Sequence, residues 1–405
     1  MRMQLKYAGM LVAWTVATAA MAQTQVTTPK RRVKELDPTE VNILGSYYSQ
    51  DGEHSPVTGG VGTEELTDVT PTVIVNVPLD TTTNMIVNFG MDFYSSASTD
   101  RIDYNISSAS SRDTRIHMDV GLSKRNNARR VIKSISIGGS TEYDYQSLSL
   151  GLGWSKGSAD GNRELSFAGQ AFFDTWTLIY PIELRTGQEL LDTKKRQSYN
   201  FSATLSQVIN RRLQGSLTTD IVYQSGLLST PFHRVYFQEQ ELPKVELLPD
   251  NRLKYPVGLR LNYYISDYLT SRFFYRFYAD NWGIVANTVE LETPIKIGPF
   301  FSFYPFYRYH TQTEADYFAP YKVHDLGEEF YTSDYDLSAF NSHKAGLGVR
   351  YSPLMGIAEG HFPFRRKTTL FKSVELRFGN YWRSDGLKAF IISADLGFTI
   401  SPRER

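Results

Sequence analysis

Asp92, His117, Asp119, Asp174, Asp220, Arg260, Arg272, Arg276, Asp280, Glu290, Glu292, Arg308, His310, Lys344, Arg350, Glu375, Arg377 and Asp395 all fall on the polar phase of segments that alternate polar with apolar residues. Side chains two apart on an extended chain project from the same side of a sheet, so these charges share one face. Such a lining either tunes which ions or solutes pass through water enclosed by the sheet, or pairs off and braces the wall. Both signs are mixed, which favours bracing. Around the tight turn at Trp282-Gly283, the spacing predicts Arg276 opposite Glu290 as a cross-strand ion pair.

A second constellation lies after the first alternating segment. It contains Asp51, Glu53, His54, Pro56, Gly59, Gly60, Gly62, Glu64, Glu65 and Asp68. Its three glycines permit positive φ and close approach to a partner. Its acids could supply oxygen ligands for calcium or hydrogen bonds that fold the loop into a barrel mouth, and the spacing is not that of the helical calcium loop. A solvated acidic loop with no metal is the expected reading.

Catalytic chemistry finds little footing. Seven histidines are present; His54, His233, His324, His343 and His361 fall in loops, turns or segment ends, and His117 and His310 on the polar phase of separate segments. There is no His-x-His or His-Glu-x-x-His pair for zinc. No catalytic residue, metal or cofactor is expected, and the chain is not read as an enzyme.

What positions these residues is a repeated period of two. In Lys388–Ile400, Phe390, Ile392, Ala394, Leu396, Phe398 and Ile400 are apolar, while Ser393, Asp395, Gly397 and Thr399 are small or polar. Sixteen such segments are predicted, near 39–50, 68–80, 83–96, 114–123, 131–141, 145–156, 163–175, 197–209, 212–224, 255–266, 269–281, 284–297, 300–312, 342–352, 369–382 and 387–400. Odd-to-even connections are often long and even-to-odd ones mostly short, with exceptions at Trp282-Gly283 and at 353–368. The pattern predicts an all-β, transmembrane antiparallel β-barrel of about 16 strands, with long extracellular loops, short periplasmic turns and an apolar face toward lipid. The negative mean hydropathy of −0.34 does not oppose this, because lumen and lipid faces cancel in any average. No 40–50-residue internal repeat supports a propeller.

The remaining composition sets limits. Acidic and basic residues balance at 43 each, which argues against a nucleic-acid partner. Absence of cysteine removes disulfides, thiolate metal sites and a lipid anchor on an N-terminal cysteine. Arg2 and Lys6, the apolar run Tyr7 to Ala20 and Ala20-Met21-Ala22 read as a signal peptide over 1–22. A periplasmic linker over 23–38, a barrel over 39–400 and a tail over 401–405 follow. That tail departs from the usual aromatic final residue of outer-membrane barrels.

Tyr47-Tyr48-Ser49-Gln50-Asp51-Gly52, Ser55 to Gly60, Gly62 to Asp68, Ser95 to Asp103 and Ser107 to Asp113 resemble the signature of an uncharacterised bacterial outer-membrane β-barrel family, domain of unknown function 3570. The resemblance implies a barrel with no assigned substrate, placed beside a periplasmic redox system or small lipoproteins. Expected partners are therefore outer-membrane lipid, the outer-membrane assembly machinery and periplasmic redox proteins or a lipoprotein, in the outer membrane of a Gram-negative bacterium. The leading expectation is a transport or export conduit for an unidentified solute. The alternative is a plugged barrel serving as membrane anchor or assembly platform for a periplasmic redox or surface complex.

Overall fold

The computed structural model describes residues 36–97, 112–180, 182–184, 192–362 and 367–402. The expected signal peptide, most of the linker, much of the second family segment and the last three residues lie outside the described residues.

Sixteen strands form the wall: β1 (Thr39–Asp51), β2 (Glu65–Pro78), β3 (Thr83–Ala97), β4 (Asp113–Asn126), β5 (Val131–Thr141), β6 (Tyr145–Gly157), β7 (Arg163–Thr177), β8 (Thr193–Val208), β9 (Leu213–Gly226), β10 (Asn251–Ser266), β11 (Leu269–Asp280), β12 (Val285–Glu292, resumed at Ile295–Lys296), β13 (Phe301–Gln312), β14 (Phe340–Tyr351), β15 (Lys367–Arg383) and β16 (Lys388–Pro402). Each pairs antiparallel with its neighbour in sequence, and β16 returns to β1 with Leu396 opposite Ile43. The sixteen strands therefore close on themselves, as a membrane-spanning barrel requires.

The period of two sets the two faces. Ile43, Val73 and Leu396 lie side by side on one face. On the same face, Leu152, Ile135 and Ile137 are 67%, 57% and 53% exposed. An apolar face that runs around a closed wall, exposed among the described residues, belongs in lipid. The opposite face is concave, because Arg377 on β15 reaches Glu292 on β12 across two intervening strands at 2.8 Å.

Long and short connections segregate largely as expected. Residues 52–64, 98–112, 178–192, 227–250 and 313–339 leave one end, while 79–82, 127–130, 158–162, 209–212 and 267–268 turn at the other. Tight turns at 142–144, 281–284 and 384–387 and the longer connection at 352–366 are the exceptions.

The register of one hairpin differs from expectation. Arg276 stands opposite Thr288, and Glu290 opposite Phe274. The Asp280 amide closes the turn onto the Ile284 carbonyl, and Asp280 Oδ1 accepts from the Trp282 and Ile284 amides. The turn is thereby centred on Trp282, one residue earlier than assumed, which separates Arg276 from Glu290 by two register positions.

Most of the buried apolar side chains lie outside the wall. Val235 and Phe237 are fully buried and Tyr331 is nearly so, together forming a small core within the long loops. These loops build a cap of their own at the long-loop end.

Candidate functional site

The inner wall carries its charges as a connected ladder on one side. Glu292 binds Arg272 at 2.7 Å and Arg377 at 2.8 Å. Arg377 also binds Glu375 at 2.6 Å, and Arg350 lies 3.7 Å from Glu375. Glu290 pairs with Arg308 at 2.5 Å, so Arg308 stands where Arg276 is expected. Arg260 packs over Phe274 and Arg276 over Tyr278. Asp220 sits opposite Ser202, and Asp395 directly opposite Glu375. Apart from Asp395 beside Glu375, opposite signs within 3.7 Å compensate one another and tie β11 through β15 together.

The other side of the lumen, from β3 to β9, is hydrogen-bonding surface around a concavity of about 740 Å³. Asn88, Ser149, Gln170, Asn200 and Gln224 line it together with the Asp174–Arg196 pair at 2.8 Å. Asn88 Oδ1 and Asn200 Oδ1 in this wall are shielded and have no hydrogen-bond partner among the described residues, while His117 Nδ1 lies 3.6 Å from Asp92 and Arg115 Nε 3.6 Å from Glu142. Buried polar groups require partners, so this wall is suited to water or to a polar solute.

The cap is organised by the family loop. Pro56–Thr58 forms one 3-10 turn, and Gly59, Gly60 and Gly62 take φ of +84°, +84° and +85°. A Cβ on Gly60 would stand 2.7 Å from the Ser333 carbonyl oxygen, so glycine lets the two loops touch. His54 stacks face to face on Tyr335 at 3.8 Å, with its Nδ1 2.9 Å from the Gly60 carbonyl oxygen. Arg234, almost fully buried, donates to Val57 O at 2.6 Å and forks onto Glu183. The loop acids do not converge: Glu64 accepts from Gln50, Asp68 accepts from Thr70, and Asp51 and Glu65 point outward. These hydrogen bonds fold the loop onto the cap, with Asp51 and Glu65 solvated.

A cavity of about 550 Å³ lies where cap meets wall, lined by Gln50, Glu64, His233, Arg308, Lys344 and Asp336, among others. Burial, assisted by Asp336 and Asp334, pushes the Glu64 carboxyl up to about 7. Arg383 crosses from β15 to the cap, binding Asp336 at 2.5 Å and the Tyr335 carbonyl at 2.8 Å. Two clusters escaped sequence reading because their members are far apart in the chain: His233, Glu246 and Asp334, and Asp113, Glu142 and Asp144.

Several solved barrels are similar in outline only. A bacterial polysaccharide outer membrane secretin superposes with a TM-score of 0.47 at 13% identity, covering 91% of this chain and 99% of that one. The siderophore receptor PirA from Acinetobacter baumannii gives 0.43 at 11%, covering 87% of this chain and only 54% of the receptor. The outer membrane protein opdK from Pseudomonas aeruginosa gives 0.39 at 7%, covering 90% and 99%. No curated protein matches the sequence. The family model described as protein of unknown function (DUF3570) matches residues 11–358, and the chain belongs to that family.

Proposed function

We propose that the chain is an outer-membrane conduit for a small polar solute, with its long-loop end narrowed by the cap. The observation that carries this reading is the asymmetry of the lumen. One wall is a ladder of ion pairs that holds shape, and the facing wall is a surface rich in amide and hydroxyl groups around a 740 Å³ concavity. A polar lumen inside an apolar cylinder supports passage of water-soluble cargo. The mechanism is permeation, with no bond made or broken.

The packed core of the cap favours a second reading, a barrel closed at rest that serves as platform for periplasmic redox or surface partners. Single-channel recording of the purified, refolded protein in a planar bilayer separates the two. Stable conductance steps support the conduit. A correctly inserted but silent barrel defeats it and leaves the platform.

A further inference from the structure

We propose that His233, Glu246 and Asp334 form a binding site for one divalent transition-metal ion, zinc foremost, which pins loop 227–250 to loop 313–339. Nothing in the conduit reading requires this site.

The geometry comes first. His233 Nδ1 lies 3.4 Å from Glu246 Oε1 and 4.0 Å from Asp334 Oδ2, and ligand atoms of all three fit within 4.8 Å of one another. Tetrahedral donors about 2.0–2.1 Å from zinc stand about 3.3 Å apart, which the His233–Glu246 pair meets and which Asp334 reaches by a side-chain shift of about 1 Å. One imidazole nitrogen with two carboxylates suits zinc and its neighbours, whereas calcium takes oxygen ligands alone.

The surroundings hold the ligands in place. Glu246 Oε2 accepts from the Thr230 amide and Oε1 from the Thr332 hydroxyl, both at 2.6 Å. Each oxygen keeps a second lone pair. Asp334 Oδ1 accepts from the Asp336 amide, while Oδ2 faces His233. The Glu246 amide donates to the His233 carbonyl oxygen, which fixes the two ligands within one loop.

Charge supplies the independent observation. Glu246 and Asp334 are carboxylates in a largely buried place, with Asp336 close by. Two guanidinium groups of the cap are engaged elsewhere, Arg383 with Asp336 and Asp385, Arg234 with Glu183. A dication at the centre of the three ligands balances this excess where one imidazolium does not.

The test uses the full chain in detergent, stripped with a chelator, loaded with zinc and desalted, with bound metal measured by mass spectrometry. The expected result is one zinc per chain, lost in His233→Ala and Asp334→Asn and recovered in His233→Cys. Zinc should also slow proteolysis within 227–250 in the wild type and leave the His233→Ala digest unchanged. Heat-modifiable gel mobility checks that each variant is folded. A wild-type chain that retains no zinc, or folded variants that retain it equally, overturns the site and leaves a hydrogen-bonded His–Glu pair. Should no variant fold, X-ray absorption at the wild-type zinc edge decides: bound metal with nitrogen and oxygen neighbours supports the site, and no bound metal refutes it.

Discussion

Arg377 on β15 donates to Glu292 on β12 at 2.8 Å, passing over β13 and β14 along the inner wall. Because Arg272 holds the other oxygen of Glu292, removal of one arginine leaves the acid only half compensated. Arg377→Ala is expected to destabilise the barrel by about 1–2 kcal/mol, less than a fully buried pair because Arg377 is partly solvated. Thermal unfolding in detergent measures it. A double-mutant cycle with Glu292→Gln should return a nonzero coupling, and in an open channel Arg377→Ala should shift selectivity toward cations.

Gly60→Ala tests the cap without touching the wall. The added Cβ meets the Ser333 carbonyl at 2.7 Å on a backbone with φ of +84°. Left-handed strain and the clash together are expected to cost about 1–3 kcal/mol of local stability. Protease should cut 52–64 and 313–339 faster, while the barrel band on a gel is unchanged. An unchanged cutting rate would show that the cap is already loose.

The cap should also be tighter in acid. Glu64 faces Tyr48 and Gln50 from β1, Asp334 and Asp336 from loop 313–339, and Arg383 from β15; burial first, then the two aspartates, raises its carboxyl to about 7. A carboxyl raised on folding binds its proton more tightly in the folded state. Its contribution is present below the ordinary carboxylate range and is lost as pH rises through 7. Between pH 5 and 8, opening measured by hydrogen exchange should increase on the order of tenfold, after discount for partial solvation. Glu64→Gln should flatten that dependence.

Leu150→Arg and Ser149→Arg differ by one position and should differ in kind. Leu150 lies on the outer face and Ser149 on the inner one. An arginine toward lipid near the midplane costs about 2–4 kcal/mol, whereas the lumen tolerates it. Folding yield into liposomes should fall for the first and hold for the second. Equal losses would mean the faces are assigned wrongly.

How far the fold was legible follows from what a period of two can encode. All sixteen wall strands were readable because lipid and lumen impose opposite demands on successive residues. Loop positions followed, since turns interrupt the period. The Arg276 register was not readable: the centring of the turn on Trp282 depends on Asp280 accepting two amides, a local choice that alternation does not record. The ladder was legible only as a shared face, because the Arg377–Glu292 contact depends on curvature. The cap core was missed since Val235, Phe237 and Tyr331 stand in segments without a period, and His233, Glu246 and Asp334 are brought together only by the folding of two distant loops.

The position of that core also constrains the order of events during assembly. Residues 52–64, 227–250 and 313–339 are separated by most of the chain, yet His54 rests on Tyr335 and Arg234 grips Val57. Contacts of such long range, like the pairing of Ile43 with Leu396 that closes the wall, carry a large loop-closure cost and form slowly. The mouth and the seam between the first and last strands are therefore expected to be the slowest parts of the chain to settle.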